Sequence, residues 1–319
     1  MAVYTPLDDD DLAALAGGYD LGHIIACEGI AEGVENSNFK LTTEAGRYIL
    51  TIFEKRTAES DLPFFMGLMA RLAERGFPAP EPAPTRTGGF LTRVKAKPAA
   101  IVSFLDGAWP RAPDIGHCAA IGAALARMHE ALAGFEMTRP NALGPDGWER
   151  LIAPRLAQAE FLRAGLAREI ERDVAVVRAA WPQDLPRGAI HADLFPDNAL
   201  FVGDALSGVI DFYFACTDFL AYDLAVCLNA WCFEDERIYD TGRGAAMIAA
   251  YEAVRPLTEA ERAALPVLAR GAALRFFATR LTDWGDTPEG ALVRPKNPLE
   301  YADKLAFHRR AKGAEDYGA

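Results

Sequence analysis

Between Ile24 and Leu105 the apolar residues fall in short runs, many with polar neighbours at every second position: Ile24 to Gly29, Ser37 to Thr42, Arg47 to Phe53, Gly89 to Arg93 and Ala100 to Phe104. Side chains alternate across a strand, so this rhythm predicts strands with one face turned to a core. One stretch breaks it. From Leu62 to Arg75 the apolar residues recur at helical spacing until Gly76, and Pro78, Pro80, Pro82 and Pro84 then prevent the helix from continuing. The pattern therefore predicts a small antiparallel sheet interrupted by one helix.

Beyond Asp106 the period changes. Ile115, Cys118, Ile121, Leu125, Met128 and Leu132 mark one face of a helix over Asp114 to Ala133. Similar patterns cover Gly147 to Ala180, Phe219 to Phe233, Gly244 to Val254 and Glu259 to Trp284, and only the region around Ile190 to Tyr213 reads as strand and loop. The expected class is α+β: a β-rich lobe over residues 1–105 joined by Val102 to Gly107 to a larger helical lobe over residues 106–319. A ligand is expected in the cleft between them.

Composition narrows the possibilities. With 45 acidic and 33 basic side chains and a net charge of −12, the chain has no electrostatic footprint for nucleic acid or an anionic membrane surface. Phe219 to Phe233 is the most apolar long segment, yet Asp223 interrupts it and it falls short of the roughly 20 residues a membrane span needs. Asp8 to Asp11 stand where a leader peptide would be basic, so a cytoplasmic protein is expected. The five cysteines form no C-x-x-C pair and the five histidines have no zinc-ligand spacing, which predicts reduced thiols and no zinc site.

The densest polar cluster in an apolar setting is His191-Ala-Asp193-Leu-Phe-Pro-Asp197-Asn198, followed by a short apolar hairpin and then Asp211-Phe-Tyr. Pairing Ala199 with Ile210 and Val202 with Ser207 would set Asn198 opposite Asp211, their Cβ atoms roughly 5 Å apart. That separation suits two oxygen ligands of one Mg2+, which binds at about 2.0–2.1 Å. Asp193, just upstream, is then placed to orient a hydroxyl and take its proton late in a loose phosphoryl-transfer transition state. Any one of these residues could equally serve in a turn; the joint spacing points to catalysis. His191 is expected to pack and brace the loop.

On these motifs the chain resembles the protein-kinase-like family of small-molecule phosphotransferases that includes aminoglycoside phosphotransferases, choline kinases and homoserine kinases. The resemblance implies a bilobal kinase-like fold, ATP and Mg2+ as cofactors, Asp193 as catalytic aspartate, Asn198 and Asp211 as metal ligands and Asp223 as a structural brace of the catalytic loop. Four stretches look most like homoserine kinases: Gly29 to Phe39, Tyr48 to Arg56, Arg275 to Trp284 and Lys296 to Tyr301. They imply L-homoserine as the small-molecule acceptor and a step towards threonine, while the catalytic spacing alone leaves an aminoglycoside, choline or a thiosugar open. A nucleotide-binding protein without catalysis is the remaining alternative.

The nucleotide is expected under the turn that contains Gly33, Asn36 and Ser37, with the base bonded by the connecting strand around Ser103 to Leu105. Thr51 stands where such kinases carry a phosphate-binding lysine; Lys55 or Lys40 could supply that charge, with Glu59 or Asp61 as partner. For the ammonium and carboxylate of the acceptor, Arg280 and Asp283 lie three apart on one helical face.

Overall fold

The computed structural model describes residues 5–30, 36–54, 57–286 and 295–319. Two helices, not one, accompany the first sheet. Helix α1 (Asp9–Gly18) starts at Asp8, whose carboxylate accepts the Asp11 N–H while the Asp11 carboxylate accepts the Asp8 N–H in return. The acidic run thus caps a helix N-terminus, where negative charge is favoured.

Strands β1 (Ile24–Gly29), β2 (Ser37–Thr43), β3 (Arg47–Ile52), β4 (Leu91–Val94) and β5 (Lys97–Ser103) form an antiparallel sheet in the order β1-β2-β3-β5-β4, with α2 (Leu62–Glu74) inserted between β3 and β4. Register divides the side chains cleanly. Phe39, Leu50 and Ile101 align on one face and pack against Leu15, Tyr19 and Leu21. Asn38, Thr51 and Ala100 align on the other, as do Lys40, Ile49 and Val102. On this inner side Ala100 and Val102 join the main core together with Phe64, Phe65 and Leu68 of α2.

The helical lobe starts with α3 (Ile115–Ala131), capped by Asp114. The single pattern expected over Gly147 to Ala180 divides into α4 (Pro145–Ile152), α5 (Leu156–Leu162) and α6 (Leu166–Ala180). Pro154 sits in the first break and Gly165, at φ 84°, in the second. Strands β6 (Arg187–Ile190) and β9 (Cys216–Phe219) pair with each other and enclose the hairpin of β7 (Ala199–Val202) and β8 (Ala205–Val209). Helix α7 (Leu220–Trp231) follows, apolar on nearly every side and buried accordingly.

A small ribbon, β10 (Phe233–Glu234) with β11 (Ile238–Tyr239), leads to α8 (Thr241–Glu252), α9 (Glu259–Asp286) and α10 (Leu299–His308). Helix α9 runs 28 residues through this lobe and packs on α4, α6, α7 and α10. Its buried Leu268, Leu274, Phe277 and Leu281 carry the core. Among the described residues no helix is long and apolar enough to cross a membrane, and all five cysteines are free thiols.

Candidate active site

Strand β6 delivers the chain into a loop that is held from below by Asp223. One carboxylate oxygen accepts the His191 N–H at 2.8 Å and the other the Ala192 N–H at 2.7 Å. His129 Nε2 lies 3.2 Å from the same carboxylate, and His129 Nδ1 lies 2.8 Å from the Tyr251 hydroxyl. Burial works to raise the pKa of Asp223, but its bond to His129, the histidines around it and the His191 N–H outweigh that and hold it below the usual value. A fully buried, ionised carboxylate is stable here because each oxygen has partners.

His191 is itself buried, which lowers its pKa against the pull of Asp223 and keeps the ring neutral. Nδ1 accepts the Asp193 N–H at 3.2 Å, so Nε2 carries the proton and donates to the Ile210 carbonyl at 3.0 Å. One ring thereby ties the loop to the end of the hairpin. Ala192 between them adopts φ 64°, a left-handed conformation that costs a residue with a Cβ about 1 kcal/mol or more.

Asp193 is 19% exposed at the mouth of this loop. Burial raises its pKa, while Arg275 and His191 pull it back. Asn198 donates its amide N–H to the Asp193 carbonyl at 2.8 Å and lies 3.5 Å from the Asp193 carboxylate. The hairpin register differs from the expected one: Ala199 pairs with Val209 and Leu200 with Gly208, then a bulge shifts the ladder so that Phe201 pairs with Leu206. Asn198 therefore faces Ile210, whose N–H donates to the Asn198 carbonyl at 3.0 Å, and Asp211 is the next residue along. Asp211 is exposed and left-handed, at φ 62° and ψ 63°.

The bulge has a tertiary cause. Ser207 donates to the Asp106 carbonyl at 2.6 Å, and Ala108 exchanges two backbone bonds with Phe201 at 2.9 and 3.0 Å. The connecting segment is thus clasped onto the hairpin. A side chain at Gly107 (φ 136°) would place its Cβ 2.4 Å from Ser207 Oγ, and one at Gly208 would come within 2.7 Å of Leu105. Only glycines permit so close an approach.

Asn198 and Asp211 offer an amide oxygen and a carboxylate, the hard donors a small divalent cation prefers. Among the described residues no group of three or more histidine, cysteine or acidic side chains could hold a metal. The donor set suits an ion that completes its shell with water and phosphate oxygens rather than one caged by protein.

In the first sheet, Asn36 Oδ1 accepts the Glu54 N–H at 3.2 Å, and Ser37 donates to the Glu54 carboxylate at 2.8 Å while accepting the Thr5 N–H at 3.1 Å. Both residues are buried and bind the turn to the sheet. Gly33 and Lys55 lie outside the described residues. Thr51 is on the inner face, donates to Asn38 at 2.9 Å and accepts from the Tyr213 hydroxyl at 3.5 Å. Tyr213, two residues past Asp211, also packs edge-on against Phe53 and Phe65, with centroids 5.2 and 5.7 Å away.

Lys40 shares the inner face, its ammonium 5.5 Å above the Phe104 ring of the connecting strand. Glu59 and Asp61 are paired elsewhere, with Arg93 and, at 2.6 Å, with Arg139. Ser103 donates its N–H to the Glu81 carbonyl at 2.8 Å and its hydroxyl accepts the Glu81 N–H at 2.9 Å. Its N–H is therefore engaged, and Leu105 faces the hairpin at Gly208, next to the bonds that Asp106 and Ala108 make with it.

Arg280 is buried, pairs with Glu300, donates to the Asn297 carbonyl at 3.2 Å and lies 4.5 Å over the Tyr301 ring. Asp283, half-buried, follows one turn later. Lys296 reaches Asp197 at 3.6 Å beside Phe195. Sequence reasoning passed over Arg275, Arg139 and Tyr213. The available signal was a charged residue inside an apolar helix, Leu274-Arg275-Phe276-Phe277.

A β-rich roof over an aspartate loop and a metal-donor hairpin is the plan of a kinase-like phosphotransferase. The model of the phosphotransferase enzyme family matches residues 26–257, and the chain belongs to that family. A spectinomycin phosphotransferase solved with ADP and spectinomycin superposes with a TM-score of 0.69 at 12% identity, covering 98% of each chain. An amicoumacin kinase solved with AMP-PNP and Ca2+ gives 0.68 at 15% identity over 95% of this chain and 92% of the other. At these identities the likeness is one of fold.

The curated relatives are far more similar. Homoserine kinase of Rhodospirillum rubrum is 57% identical over 318 residues, spanning 100% of this chain and 99% of the relative, and homoserine kinase of Methylobacterium sp. strain 4-46 is 58% identical with the same coverage. Within the phosphotransferase family the chain thus groups with the homoserine kinases.

Proposed function

We infer that the protein transfers the γ-phosphoryl group of ATP to the hydroxyl of L-homoserine, yielding O-phospho-L-homoserine for threonine synthesis. The observation that carries the chemistry is the joining of Asp193, Asn198 and Asp211 through one loop and one hairpin rung. We assign residues 1–105 to nucleotide binding and residues 106–319 to catalysis and acceptor binding, in a cytoplasmic enzyme.

In this reading Asp193 receives the acceptor hydroxyl as a hydrogen-bond donor, aligns it with the phosphorus and takes its proton as the O–P bond forms and the bond to ADP breaks. Burial raises the pKa of Asp193, and the Arg275 guanidinium beside it opposes that shift in favour of the ionised carboxylate that this role needs. Asn198 and Asp211 would hold Mg2+, which supplies charge neutralisation for the phosphates. Leu105 and the backbone of the connection would seat the base. Arg280 and Asp283 would meet the acceptor carboxylate and ammonium, with Glu300 yielding part of its hold on Arg280.

The test is a coupled ADP-release assay with L-homoserine, choline, spectinomycin and kanamycin as competing acceptors, run beside Asp193→Ala. Turnover is expected with L-homoserine and lost by at least about 10³-fold in the variant. Higher kcat/KM for another acceptor sinks the substrate assignment, and an active Asp193→Ala sinks the mechanism.

A further inference from the structure

We propose that Arg275 is a positioning residue for phosphoryl transfer, its guanidinium fork clamping the Ala192 carbonyl and the Asp193 carboxylate so that the catalytic aspartate points at the acceptor. The proposal rests on the reading of Asp193 given above.

The geometry is specific. Arg275 is 2% exposed, in a stretch of α9 whose neighbours Ala272, Ala273, Leu274, Phe276, Phe277 and Ala278 are all buried. A guanidinium in such a place is costly unless paired, so its partners reveal its purpose. One terminal nitrogen donates to the Ala192 carbonyl and the other lies 3.5 Å from Asp193 Oδ1. Nε has no hydrogen-bond partner among the described residues, so the polar contacts of this head group are those its two tips make with the catalytic loop. The Phe276 ring at 4.3 Å and the Phe214 ring at 5.5 Å flank the guanidinium and fix its plane.

Ala192 shows why a clamp is needed. Its left-handed backbone has to be imposed from outside, and its two peptide groups are gripped by opposite charges: Asp223 takes the N–H at 2.7 Å and Arg275 the carbonyl. Arg270, five residues earlier on the same helix, makes the contrast. It closes a buried ion pair with Asp173, which Arg309 joins from the C-terminal cap of α10 at 2.6 Å and extends to Glu169 at 3.0 Å, a structural ion-pair network. The acid facing Arg275 is the catalytic residue itself. Asp193 is held on its other side by the Asn198 amide, so clamp and amide together fix the orientation of the carboxylate.

The experiment compares Arg275→Met, Arg275→Lys and Asp193→Asn in the full chain, with kcat, KM for ATP and circular dichroism measured for each. Displacing a reacting group by about 1 Å costs roughly 10²-fold, so Arg275→Met is expected to lose about that factor in kcat with KM for ATP within about twofold. Arg275→Lys keeps the charge but not the fork, and should recover about tenfold of the loss. If Arg275→Met does not fold, the folded lysine variant decides alone: kcat reduced about tenfold supports the clamp. Arg275→Met within about threefold of the parent, or Arg275→Lys at the parent rate, overturns it. An Asp193→Asn enzyme that keeps its turnover instead overturns the underlying reading of Asp193.

Discussion

The catalytic loop and the sheet above it are held in place by opposite means. From His191 to Asn198 the backbone is tied to buried charge and ring nitrogen: Asp223 below, Arg275 at the side, His191 bridging to Ile210. Around Thr51 on the inner face of the sheet the polar groups are neutral and bond to one another, Thr51 to Asn38 and Tyr213 to Thr51. A loop fixed by buried ionic partners has one low-energy arrangement, since losing one partner strands the other in an apolar interior. A patch of hydroxyl and amide groups tolerates substitution more readily, because no partner is left as an unpaired charge. The difference explains how threonine can stand in β3 at the place of an expected lysine while the loop keeps its full set of residues.

Removing the floor of the loop is expected to have the largest effect. Asp223→Ala leaves two N–H groups and His129 without an acceptor, and should cost about 3–5 kcal/mol of stability and at least about 10²-fold in kcat, read by urea denaturation and turnover. A variant with near-parental values would dissolve the contrast.

The next effect is one of pH. Burial lowers the pKa of His308 to about 3, and burial likewise lowers that of His191, whereas an unfolded histidine titrates near 6.5. The unfolded chain therefore binds more protons below that value. Stability from these rings is complete above about pH 6.5 and is lost as pH falls, by up to about 1.4 kcal/mol per pH unit for each ring. Denaturation midpoints between pH 7.5 and 5 should fall accordingly, and His308→Gln should reduce the slope; an unchanged slope would refute the assignment.

On the sheet side, Thr51→Val removes one donor and one acceptor at a nearly isosteric position and should cost about 1 kcal/mol, with KM for ATP rising less than about tenfold. An increase of about 10²-fold would mean that this face is as tightly specified as the loop. Smallest of all, the partly exposed Arg139–Asp61 pair, which joins the loop after α3 to the start of α2, should show a coupling of about 0.2–1 kcal/mol in a double-mutant cycle.

Much of this arrangement was legible beforehand, and the exceptions are instructive. Period-two runs located β1, β2 and β3 to within a residue, because each has one face on a core. The hairpin was found but its register was not: the bulge follows from Ser207 and Gly208 meeting the connecting segment, a contact between residues about 100 apart that no local pattern encodes. Pro154 and Gly165 did signal the breaks within Gly147 to Ala180, but the continuing apolar period masked them. Asp193, Asn198 and Asp211 stood out because their spacing carries chemistry. Arg275 did not, since periodicity treats an arginine as a solvent-facing position and only packing shows that this one is buried.

The clasp between Gly107 and the hairpin also bears on how the two halves of the molecule can move. The crossing point from roof to floor is stitched to the strands that end at Asn198 and Asp211. A tilt of the sheet about this connection is therefore expected to carry the hairpin with it, because the two are joined by three hydrogen bonds rather than by the chain alone.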